Sequence, residues 1–174
     1  MSTIQALGEP IVRAHITRAV TDVLKVMLKS RVEAVAPGGP WGEVPPEVTA
    51  QLAAPHVVGS VGFVGDINGL VYLCLPTPFA RMATCRLLGL SDSELTDAGE
   101  APVTDAVGEL TNMTVGSFKN ALCDAGFPCM LTIPSIITGC QISVESVGAT
   151  ERCLYAFECS GHQLVAAVLM RTND

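Results

Sequence analysis

The chain has 174 residues, a length suited to one domain, 1–174, with a sizeable core. Charged residues are 16% of it, against about 25% in an ordinary soluble chain, while apolar residues reach 49% and the net charge is −7. Ten scattered Lys and Arg exclude a nucleic-acid surface, and so little charge leaves apolar surface for a protein–protein interface to cover.

The first predicted element is a helix that begins near Pro10, a residue suited to a first turn. It carries Val12, Ile16, Ala19, Val20, Val23 and Met27 on one face and ends before Ala36-Pro37-Gly38-Gly39-Pro40. From there to about Pro55 the composition turns to Pro, Gly and isolated apolar residues, including Trp41, and reads as a long surface connection. Val57–Val64 and Leu70–Leu75 follow as two strands around Gly65-Asp66-Ile67-Asn68-Gly69, where Asn-Gly signals a hairpin turn. A helix from about Thr77 to Gly89 places Phe79, Met82, Ala83, Leu87 and Leu88 among its apolar positions. The acidic run Ser91–Glu100 is a loop or a short helix.

The most informative stretch is the next helix. Val103, Val107, Leu110, Thr114, Phe118 and Ala121 recur at helical spacing, and a step of roughly 100° per residue puts Asp105, Glu109, Asn112 and Gly116 in a narrow band opposite that face. A carboxylate and an amide therefore stand side by side and point outward. Gly116 leaves room beside the helix backbone for a docking surface, at about 1 kcal/mol relative to alanine. Strands are then expected near Met130–Thr138, Gln141–Val147, Arg152–Cys159 and Gln163–Arg171, the last two forming a hairpin over Ser160-Gly161-His162. Helix followed by hairpin thus occurs twice, which implies an α+β domain whose antiparallel-rich sheet is covered by two long helices.

Other chemistries find no support in the motifs. Cys74, Cys85, Cys123, Cys129, Cys140, Cys153 and Cys159 include no Cys-x-x-Cys and no His at ligand spacing, so no metal site is expected, and most read as buried, inert thiols. His15, His56 and His162 are isolated, and neither a Gly-x-Ser-x-Gly elbow nor a phosphate loop is present. The longest apolar run, Leu164–Met170, is far short of a membrane span, and Met1–Gln5 has no signal-peptide character, so the expected location is the cytoplasm.

The order Gly108-Glu109-Leu110-Thr111-Asn112-Met113, Gly116, Gly126 and then Leu131-Thr132-Ile133-Pro134-Ser135-Ile136-Ile137-Thr138-Gly139 resembles the chemotaxis CheC/CheX phosphatase family. That family's signature is Glu-x-x-Asn on a helix followed by a strand carrying Pro and Gly, with an acidic or hydroxyl residue four positions before the Glu, here Asp105. The likeness extends to the first helix and the first hairpin and covers nearly the whole chain. The first helix has no Glu-x-x-Asn, so the arrangement resembles the single-site CheX members more than the two-site CheC members.

The resemblance implies a CheC-like fold and a phosphatase that acts on the aspartyl phosphate of a CheY-like receiver domain. It assigns Asn112 the task of orienting the attacking water and Glu109 that of pairing with the receiver's lysine. Asp105 and Gly116 would contact the partner, and Mg²⁺ would sit on the receiver rather than on this chain. It also implies a homodimer formed through exposed sheet edges. The alternative function is a noncatalytic module of the same fold that binds a receiver domain or a flagellar-switch component.

Overall fold

The computed structural model describes residues 7–35, 46–145, 148 and 150–172. The readings made at 36–45, Trp41 among them, lie outside the described residues. Helix α1 (Glu9–Leu28) buries Val12, Ile16, Ala19, Val20, Val23, Leu24 and Leu28, has Pro10 in its first turn, and ends at Lys29 in a left-handed conformation with φ 52°. Strand β1 (Val32–Ala34), where no strand was expected, and helix α2 (Pro46–Gln51), within the expected surface connection, come next.

Strands β2 (His56–Gly65) and β3 (Ile67–Pro76) pair antiparallel, with Val61 opposite Val71. Their turn differs from the expected one. It centres on Asp66, while Asn68 and Gly69 already belong to β3 and Gly69 stands opposite Phe63. Asn68 serves the turn through its side chain, whose Oδ1 accepts from the Gly65 amide at 3.1 Å. Gly69 is needed for space, since a Cβ there would lie 2.8 Å from Phe63 Cε1 and closer still to the Leu169 carbonyl oxygen.

Helix α3 (Thr77–Leu88) stops at Gly89, whose φ of 68° is the left-handed conformation that glycine adopts without strain. The acidic run forms a short helix, α4 (Asp92–Ala98). Ser91 and Glu94 cap it reciprocally: the Ser91 hydroxyl accepts from the Glu94 amide, and the Glu94 carboxylate accepts from the Ser91 amide. Helix α5 (Ala101–Asp124) is the longest element and buries Val103, Val107, Leu110, Thr111, Thr114, Val115, Phe118 and Leu122.

Strands β4 (Cys129–Leu131) and β5 (Ser135–Gly139) replace the single strand expected over 130–138. Both pair with β2, and the chain departs from the ladder around Pro134, which has no amide to donate. The strand expected at Gln141–Val147 is absent from the described residues 141–145. Instead, Ile142 donates to the Leu52 carbonyl and Gln141 to that of Ala53, so this segment lies over the outer face of the sheet. Strands β6 (Glu151–Cys159) and β7 (His162–Thr172) form the expected second hairpin.

The strands make one antiparallel sheet in the order β1-β6-β7-β3-β2-β4, with β5 also on β2. The duplicated pattern explains this order. Helix, edge strand and hairpin occur twice, and each half's edge strand pairs with the other half's hairpin: β1 with β6, and β4 and β5 with β2. The two hairpins meet at the centre through β3 and β7.

Helices α1 and α5 run antiparallel. Met27 near the end of α1 lies by Pro102 and Glu109 at the start of α5, while His15 lies by Asn120 and Asp124. The main core fills the space between helices and sheet, where Phe63 meets Phe118 edge-on at 5.9 Å. A smaller cluster of Leu52, Val58, Cys74 and Val165 covers part of the opposite face. Cys74, Cys129, Cys153 and Cys159 are buried, Cys85 and Cys123 half-buried and Cys140 exposed, and all seven are free thiols.

Candidate active site

The outward stripe of α5 follows from how tightly its opposite face is held. Thr111 and Thr114 are polar residues on the core face, and each satisfies its hydroxyl within the helix, donating to Val107 O and Leu110 O at 2.7 Å. Beneath Thr111 lies Gly59 of β2. A Cβ at that position would come within 2.8 Å of Thr111 Cβ, so the missing side chain is what lets the helix approach the strand. The residue adjacent to this contact is Asn112.

Asp105, Glu109 and Asn112 are all exposed, and none of them forms a hydrogen bond or ion pair with the described residues. Residues three and four apart on a helix are neighbours on its surface. One rigid element therefore presents two carboxylates and an amide in fixed relation. On one flank, Asp105 and Glu109 line a groove shared with the ends of α1 and α3. On the other, Gly108 and Gly116 face the sheet edge, with Ile136 Cδ1 and Leu131 Cδ1 each 3.9 Å from where a Cβ would stand.

Gly116 departs from expectation in this respect. It is half-buried, and the space beside it is partly filled by Leu131 of the chain's own β4 rather than left open. Sequence reasoning also missed the groove, because it named Leu87 and Leu88 alike as apolar positions of α3. Adjacent residues point roughly 100° apart. Leu87 is half-buried, whereas Leu88 is 52% exposed at the groove.

The duplicated architecture locates the counterpart of the stripe. Val12, Ile16, Ala19, Val20 and Val23 in α1 have the same spacing as Val107, Thr111, Thr114, Val115 and Phe118 in α5, and all are buried. In that alignment Ala14 and Thr17 occupy the places of Glu109 and Asn112. The pair of polar groups is thus present on one helix and absent from its structural equivalent.

Asn112 carries an amide that does not titrate near neutrality, so it can donate and accept hydrogen bonds but cannot act as a general base. Among the described residues, no group of three or more His, Cys, Asp or Glu is placed to hold a metal ion. No helix among them is long and apolar enough to cross a membrane. The chemistry available to this surface is to orient a molecule and to pair with a cation.

An antiparallel sheet of intertwined halves under two long helices, one of them presenting Glu-x-x-Asn, defines a class of two-half α+β proteins. The sequence matches the model of the family described as Chemotaxis phosphatase CheX over residues 57–158, and the chain belongs to that family. A curated relative, the CheY-P phosphatase CheX of Thermotoga maritima, is 26% identical over 105 residues, 59% of this chain. The matched stretch spans 65% of that relative's length, slightly under two thirds.

Solved structures share the fold. A chemotaxis protein CheX from Desulfovibrio desulfuricans superposes with a TM-score of 0.74 at 22% identity, covering 92% of this chain and 99% of that one. The CheX-CheY-BeF3-Mg+2 complex from Borrelia burgdorferi superposes with a TM-score of 0.68 at 19% identity, covering 91% and 96%.

Proposed function

We propose that this chain is a phosphatase that accelerates hydrolysis of the aspartyl phosphate on a CheY-like receiver domain. The observation that carries the reading is the exposed Glu109 and Asn112, one turn apart on a helix packed through Thr111 and Gly59, with no partner among the described residues. Groups left unpaired on a rigid scaffold are available to be completed by a second molecule. The Thermotoga maritima relative is a CheY-P phosphatase, and the Borrelia burgdorferi protein of the same fold forms a complex with CheY, BeF3 and Mg+2. Both support that kind of partner here.

An aspartyl phosphate is already reactive, and its hydrolysis needs a water held in line with the phosphorus. Asn112 enters the receiver's site and fixes that water through its amide. The water oxygen forms a bond to phosphorus as the bond to the aspartate oxygen breaks, leaving inorganic phosphate and a free carboxylate. Glu109 pairs with the receiver's lysine and sets the position of the whole helix against the phosphate. Asp105, one turn upstream, adds negative charge on the same side. The Mg²⁺ that this chemistry uses belongs to the receiver.

The active unit is a homodimer. Val64, Met130, Ile133 and Ile137 are 58%, 76%, 88% and 57% exposed around the edge formed by β4 and β5, an apolar surface that pairing of two such edges would cover. A mass measurement at micromolar concentration that finds only monomer would exclude it. For the activity itself, the test is the decay of a phosphorylated receiver from the same genome with and without this chain. Catalytic amounts should shorten the lifetime of the phosphorylated form; an unchanged lifetime despite binding would make the chain a noncatalytic receiver-binding module.

A further inference from the structure

Catalysis as proposed uses Glu109 and Asn112 but leaves unexplained the groove that Glu109 also lines. This groove, about 470 Å³ in volume, opens between the last turns of α1 and α3 and the first turns of α5. Met27, Leu87, Leu88 and Pro102 form its apolar wall, and Asp105 and Glu109 its rim. Leu88 is 52% exposed there, in the helix turn that Gly89 terminates. No basic residue lines it.

The geometry points to this groove as the specificity-determining contact for the receiver domain, taking an apolar side chain that lies beside a Lys or Arg on the receiver's surface. This rests on the phosphatase reading, and two observations select the occupant. The first is continuity: Glu109 belongs to both the stripe and the groove, so a receiver whose phosphorylation site meets Glu109 and Asn112 also overlies Leu88 and Pro102. The second is charge: with Glu109 paired to the receiver's active-site lysine, Asp105 remains on the rim of an apolar floor that has no cation of its own, which complements an apolar residue flanked by a positive one.

A discriminating contact is also what the stripe lacks. The stripe reads a phosphoryl group and a neighbouring lysine, which any receiver using the same chemistry presents. Discrimination between receivers requires surface outside that constellation, and the groove adjoins the stripe with both shape and chemical character.

The test compares Leu88→Asp, Leu88→Met and Asn112→Ala in the full chain, using a receiver from the same genome loaded with Mg²⁺ and beryllium fluoride for binding and phosphorylated for turnover. Leu88→Asp should weaken the calorimetric Kd and raise KM by about tenfold or more with kcat within about twofold, because it places a charge in an apolar contact without touching the reacting groups. Leu88→Met should stay within about twofold of the unsubstituted chain in all three quantities. Asn112→Ala should do the opposite of Leu88→Asp, lowering kcat with Kd unchanged.

Wild-type hydrolysis together with an unaltered Kd and KM for Leu88→Asp would overturn the groove and leave the phosphatase reading standing. Binding that Leu88→Asp weakens, with no hydrolysis by any form, would overturn the phosphatase reading and leave the groove standing. A Leu88→Asp chain that keeps its affinity but loses its dimer mass would assign the groove to a second copy and overturn the inference. Failure of the wild-type chain to bind the loaded receiver would overturn both.

Discussion

Replacing Gly59 with Ala is expected to disable the site without touching any of its polar groups. The added Cβ would stand 2.8 Å from Thr111 Cβ and closer still to Thr111 Oγ1, where ordinary carbon–carbon contact is about 3.5–4.0 Å. Thr111 is fully buried and its hydroxyl is bonded to Val107 O, so it cannot swing away cheaply. Relief therefore comes from lifting α5 off β2 by about 1 Å, at an overpacking cost of about 1–3 kcal/mol. For a chain of this size that is a fall in melting temperature of roughly 3–10 °C. A displacement of about 1 Å in a positioning group can cost about 100-fold in rate, so receiver dephosphorylation should fall far more than the folded fraction does. Thermal unfolding followed by circular dichroism, and receiver turnover at a temperature where the variant is fully folded, measure the two effects. Thr111→Ala removes Oγ1 and Cγ2 from the collision, so the double variant should be more stable than the two single losses predict, by about 1 kcal/mol. Unchanged melting and turnover in Gly59→Ala, or strict additivity in the double variant, would refute the claim that this contact sets the height of the helix.

Asn112→Ala should lower turnover of the phosphorylated receiver by about 100-fold or more while shifting stability by less than about 0.5 kcal/mol, as expected for an exposed residue that positions a water; single-turnover kinetics and thermal unfolding check both. Glu109→Ala should weaken receiver binding as well as turnover, with Glu109→Gln recovering part of each, and calorimetry showing equal affinity for all three forms would make Glu109 a merely solvated side chain. Burial pushes the Cys74 thiol up to about 12, and the Cys153 and Cys129 thiols up to about 11. The unfolded chain would begin to release those protons near pH 9 while the folded chain keeps them, so the folded state binds more protons and stability must fall as pH rises. The contribution is fully present below pH 8 or so and is lost progressively from about pH 9 to about pH 12, with Cys74 alone accounting for about 1.4 kcal/mol per pH unit; denaturant titrations at successive pH values should show the decline. Thiol labelling at neutral pH should proceed first at exposed Cys140.

What the sequence discloses depends on the length of the pattern. Helices α1, α3 and α5 and the two long hairpins have enough turns or alternations for period to identify them, and α5 carries its polar stripe as a direct consequence of that period. Strand β1 has three residues and α2 six, too few for a period to emerge, and both depend on partners distant in sequence; β1 exists because Val32 pairs with Cys159. Ile142 and Val144 alternate with polar neighbours like a strand, but the turn that follows α2 offers the carbonyls of Leu52 and Ala53, and the segment bonds there instead. The Asn-Gly pair indicated a hairpin correctly and its turn incorrectly. Gly69 answers to the Phe63 ring and the Leu169 backbone, a tertiary demand that no local rule contains.

The site divides along the same line. Glu109, Asn112 and Asp105 are legible because they break the apolar pattern of a helix on one narrow band, whereas the surroundings of Gly59 and Leu88 come from neighbours that only the fold supplies. That division has a physical reason. A group completed by a second molecule must be left unpaired within its own chain, and unpaired polar groups on the outside of an otherwise regular helix stand out against its period. The groups that hold the helix in place are buried and small, and they read in sequence as ordinary core. Glycine at position 59 and threonine at 111 present no polar group to the surface, yet it is at their contact that α5 approaches β2, one residue from Asn112. The duplicated fold makes the same point: α1 has the matching buried series under Ala14 and Thr17, so the same scaffold exists on the other helix without a Glu-x-x-Asn pair.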